Sequence, residues 1–102
     1  MTTMTSAQWR NLALLALADA GEVNSVDGAL RVVDQGALID DGRPAINRDV
    51  YRSLVDLGLA QEAWVDQGHE TWCRITGQGR ATVAADDRRF RKAAKAYRRK
   101  AR

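Results

Sequence analysis

The sequence predicts a single α+β domain, and three observations predict it. Apolar residues recur at helical spacing near both ends, from Trp9 to Ala20 and through Val83, Phe90 and Tyr97. Two runs of strand-forming residues, 59–65 and 69–75, flank the turn sequence Asp66-Gln67-Gly68. A chain of 102 residues that is 45% apolar can bury one small core and is too apolar for full disorder.

Each element follows from local chemistry. Ser6 is placed to cap a first helix, in which Trp9, Leu12, Ala13, Ala16 and Ala20 form a stripe widened by Leu14, Leu15 and Leu17. Gly21 is the expected stop. Two readings fit residues 22–46. One is a hairpin with Asp27-Gly28 as its turn and arms at 22–26 and 29–33, followed by a loop or short strands around Ala37 to Ile39. The other is a helix capped by Ser25, with Gly28 inside it at a cost of about 1 kcal/mol against alanine. The hairpin is preferred because Val26, Val32 and Val33 favour strand. Asn47 is expected to cap a second helix over 48–57, ended by Gly58. In the 59–75 hairpin, Gly68 is the expected left-handed residue, and Trp64 and Trp72 are expected cross-strand neighbours. Thr76 caps the last helix. The seven-residue spacing of Val83, Phe90 and Tyr97 predicts that it runs unbroken to about residue 98.

Charge divides the chain. Residues 1–85 carry seven basic and eleven acidic side chains, whereas residues 86–102 carry nine basic and two acidic. Such a tail attracts nucleic acid phosphates or an acidic protein surface. Among these cations Arg88, Arg91, Lys92, Lys95 and Arg99 are the candidate phosphate contacts.

Two segments carry a family resemblance. The run Tyr51-Arg52-Ser53-Leu54-Val55-Asp56-Leu57-Gly58-Leu59 resembles the end of a recognition helix and its exit in bacterial and phage winged helix-turn-helix regulators. The run Trp72-Cys73-Arg74-Ile75-Thr76-Gly77-Gln78-Gly79-Arg80 resembles their second wing strand and the helix that follows. The resemblance implies a winged helix-like domain over 6–85, with three main helices and a wing β-hairpin, followed by a long basic C-terminal helix over 86–102. It also implies a DNA-binding regulator of transcription. On that reading Asn47, Arg48, Arg52 and Ser53 face the major groove, where arginine pairs with guanine and asparagine with adenine. Arg74 serves the wing. A homodimer through Trp9, Phe90, Ala94 and Tyr97 is the expected assembly. The sequence departs from the family between the first two helices. The family has a short helix there, whereas this chain has Gly28, Gly36, Gly42, Pro44 and several acids. The alternative reading is a non-catalytic protein-interaction module of the same fold, whose acidic body meets a basic partner and whose tail meets an acidic one.

Other function classes find little support. One cysteine, Cys73, makes no internal disulfide, and one histidine, His69, four residues away gives a poor metal site. No nucleophile-base arrangement and no phosphate-cradling glycine loop is present, so no catalysis, metal or cofactor is expected. No apolar run approaches a membrane span and no signal peptide is evident, so the expected location is cytoplasmic.

Overall fold

The computed structural model describes residues 3–34, 39–40, 43–66 and 68–100, and for 39–40 and 99–100 the backbone only. Gly36, Ala37, Gly42, Gln67 and the side chain of Arg99, which enter the expectations above, lie outside the described residues. The fold is α+β. In chain order it comprises α1 (Ser6–Asp19), β1 (Leu30–Val33), β2 (Ile39–Asp40), β3 (Arg43–Asn47), α2 (Arg48–Asp56), β4 (Ala60–Val65), β5 (Thr71–Ile75), α3 (Gly77–Ala85) and α4 (Asp87–Lys100). None of these helices is long and apolar enough to cross a membrane.

The central helix α1 starts one residue earlier than Ser6 suggests. Thr5 is the cap: its hydroxyl accepts from the Gln8 N–H at 3.1 Å, and Gln8 Oε1 accepts from the Thr5 N–H at 2.8 Å. This reciprocal box satisfies two donors, which Ser6 alone would not. At the other end Gly21 has φ +75°, and the N–H groups of Gly21 and Glu22 return to Ala18 and Leu17. Leu12, Leu14, Leu15 and Leu17 are fully buried, so α1 is surrounded by the other elements.

The expected first hairpin is reduced to its turn. Asp27 and Gly28 both have positive φ, and Val26 and Ala29 exchange backbone hydrogen bonds. Residues before Val26 do not continue as a strand: the Ser25 hydroxyl donates to the Ala18 carbonyl at the end of α1 instead. Strand β1 finds its partners elsewhere. It runs antiparallel to β5, with Leu30 opposite Cys73, and parallel to β3, with Val32 opposite Ile46. The two-residue β2 extends the sheet beyond β3, and the order is β2-β3-β1-β5-β4.

The segments that follow fold largely as their caps dictate. Asn47 Oδ1 accepts from the N–H groups of Asp49 and Val50, which starts α2. Gly58, at φ +77°, ends it, with the N–H groups of Gly58 and Leu59 bonded to Val55 and Leu54. In the β4–β5 hairpin, His69 takes the left-handed conformation (φ +63°) that was expected of Gly68. The Asp66 carboxylate dictates this by accepting from the N–H groups of both Gly68 and Glu70.

The last helix is two helices. Asp86 leaves helical geometry (φ −134°, ψ 63°), and its carboxylate accepts from the Arg89 N–H at 3.3 Å, capping α4. An aspartate competes with the helix for backbone donors, so the apolar period continues while the axis breaks. The bend lays α4 on α1, where Ala94 is fully buried and Tyr97 is 7% exposed. Helix α4 thus packs on the core through Ala94 and Tyr97, with Phe90 and Ala93 beside them. Asn11, 2% exposed, ties the layers together: its Nδ2 donates to the Ala7 carbonyl and its Oδ1 accepts from the Asn47 N–H.

Candidate nucleic-acid interface

The basic helix α4 is sorted by its ion pairs. Arg89 pairs with Asp86, Arg91 with Asp87 at 2.7 Å, and Arg98 with Glu22 at 3.3 Å. Arg88, Lys92 and Lys95 make no ion pair among the described residues. Together with the backbone position of Arg99 they recur at i, i+4, i+7 and i+11. At 100° per residue these four positions span a sector of about 60°, opposite the side that buries Ala94 and Tyr97, and a length of about 16 Å. The outward face of α4 is thus a cationic stripe.

Helix α2 is less cationic than its arginines suggest. Arg48 forms a salt bridge with Asp34, and Asp49 and Asp56 flank the outward face. Asn47 spends its carbonyl oxygen on the cap. The Ser53 hydroxyl donates to the Val50 carbonyl and accepts from Gln8 Nε2 at 3.1 Å. Arg52 remains exposed, with no ion pair among the described residues. Arg74 is also engaged: its Nε donates to the Asp27 carbonyl, and its guanidinium lies 5.4 Å from the Trp64 ring centre. Trp64 and Trp72 stack at 5.5 Å with planes 16° apart, and the Trp72 indole donates to Asp66.

The N-terminal half of α1 lies between α2 and α4. Gln8 reaches Ser53 of α2 on one side. On the other, Arg10 lines a crevice together with Arg89 and Lys92 of α4. Sequence reasoning missed Arg10, which looked like one polar position on an apolar helix. It also missed the acids that neutralise Arg48 and Arg98, because Asp34 and Glu22 are remote in sequence.

The residues expected at a dimer interface are used inside the chain. Trp9 (8% exposed), Ala94 and Tyr97 belong to the core. Phe90 packs against that core beneath the Arg98 guanidinium. The stripe they form is an α1–α4 seam, not a free surface. Burial pushes the Cys73 thiol up to about 12, so it carries no thiolate near neutrality. Among the described residues, no three His, Cys, Asp or Glu side chains gather into a group able to hold a metal ion. Comparison with protein-family models, curated proteins and solved structures found no match.

Proposed function

We propose that this protein binds duplex DNA as a divergent winged helix-turn-helix domain and acts in regulating transcription. The observation that carries the proposal is the unpaired stripe of Arg88, Lys92 and Lys95 on the outward face of α4, a spacing suited to successive phosphates. Topology supports the fold assignment. Helix α2 leads into the β4–β5 hairpin, and the second hairpin strand pairs antiparallel with β1. The order of α2, hairpin and α3 is the one the sequence resemblance implies, and the β1 pairing adds the hairpin to the sheet. The strands β2 and β3 occupy the place of the family's short intervening helix. Phosphate contacts dominate this reading, with Arg52 as the groove-facing residue of α2 and Arg74 as a hairpin-side contact.

One observation favours the alternative, a protein-interaction module. The outward face of α2 mixes both charges and adds Val55, which is 40% exposed. Fluorescence anisotropy with a random-sequence duplex separates the two readings. Arg88→Ala/Lys95→Ala should weaken binding by about tenfold or more, and Arg52→Ala by less. Equal affinity of the wild type and the α4 double variant rejects the stripe as the contact. Absence of DNA binding at low salt transfers the stripe to an acidic protein surface.

A further inference from the structure

We infer that the crevice between the start of α1 and the middle of α4 is a binding site for a small amphipathic organic anion, such as a carboxylate on a hydrocarbon body. The cavity has a volume of about 510 Å3, within the range of small-molecule sites. Its lining is of two kinds. Met4, Trp9 and Ala93 supply an apolar wall, and Arg10, Arg89 and Lys92 supply positive charge. Arg10 and Lys92 have no ion-pair partner among the described residues, in a molecule that pairs Arg31, Arg48, Arg80, Arg91 and Arg98.

A second, independent observation falls at the same seam. Trp9, which lines the crevice, is more than nine-tenths buried, and its indole N–H has no hydrogen-bond partner among the described residues. Buried polar groups are nearly always satisfied, so an orphaned one calls for a partner such as a water, an ion or a ligand. A phosphate of the DNA backbone matches the cations but leaves the Met4–Trp9–Ala93 wall unused. A neutral hydrocarbon matches the wall but leaves two cations uncompensated. A carboxylate with an apolar tail uses both.

The inference does not rest on the DNA-binding reading, and its test contains no DNA. The probe is octanoate, added up to about 10 mM to the 15N-labelled full chain, with 1-octanol and inorganic phosphate as comparators. The three indole N–H signals are assigned with Trp9→Phe. Octanoate should shift the Trp9 signal saturably and leave Trp64 and Trp72 in place, while both comparators act far more weakly. Arg10→Ala/Lys92→Ala should weaken octanoate by about tenfold or more, with unmoved Trp64 and Trp72 signals reporting an intact fold. Four results overturn the inference: an unmoved Trp9 signal, phosphate acting as well as octanoate, octanol acting as well, or undiminished binding by the double variant.

Discussion

Gly79 shows how tightly single residues constrain this chain. A Cβ there would overlap the Leu59 carbonyl and come within 2.6 Å of Ile75 Cγ1. The close approach exists because α3 docks its first turn on the α2–β4 junction. The Thr76 hydroxyl donates to the Gly58 carbonyl at 2.6 Å, and the Thr76 N–H donates to Leu59. Gly79→Ala should therefore destabilise the fold by about 1–3 kcal/mol, read from urea denaturation. Burial sets the behaviour of Cys73 in the same way. Its thiol should resist a disulfide reagent at pH 8 in the native state and react only as urea unfolds the chain, because the thiolate is the reactive form.

At the scale of elements, side-chain caps decide where helices and turns begin. Asp66 organises the β4–β5 turn. Its slight desolvation raises the carboxyl pKa, but hydrogen bonds from the Glu70 N–H, the Trp72 indole and the Gly68 N–H outweigh that and hold it below the ordinary 3.8. A carboxyl depressed on folding stabilises above its unfolded pKa, and that support is lost as pH falls through the lower folded value. The circular-dichroism couplet of the stacked Trp64–Trp72 pair should stay constant above pH 3.8 and decline as pH falls below it. Asp66→Asn should reduce the couplet at neutral pH and flatten that dependence. The hairpin, α2 and the Thr76 cap were legible in sequence because each is fixed by contacts within a few residues. The Thr5-to-Gln8 box was equally legible, since the threonine stands three residues before the glutamine, but Ser6 drew the assignment. The break at Asp86 was hidden because Val83, Phe90 and Tyr97 keep their spacing across it. The pairing of β1 with β3 was hidden for another reason. Parallel partners are separated by a crossover and leave no short-range signal.

At the scale of the whole molecule, α4 has two faces with different duties. Its inner face supplies Ala94 and Tyr97 to the core around α1, and its outer face carries the cations. Truncation after Ala85 should therefore abolish cooperative thermal unfolding, because it uncovers the apolar flank of α1. Arg88→Ala/Lys95→Ala should leave the melting temperature nearly unchanged. The charge asymmetry that marks this helix was plain in the composition. Which cations remain unpaired was not, because Glu22 meets Arg98 and Asp34 meets Arg48 only after folding. Contact of the unpaired stripe with DNA phosphates releases counterions, so the proposed contact is read in the salt dependence of binding. Duplex affinity should be measured by anisotropy across a salt series. Log affinity should fall linearly with log salt with a slope of about −3, which becomes shallower by about two in Arg88→Ala/Lys95→Ala. A slope near zero, or the same slope in both proteins, would rule out the stripe as the phosphate contact.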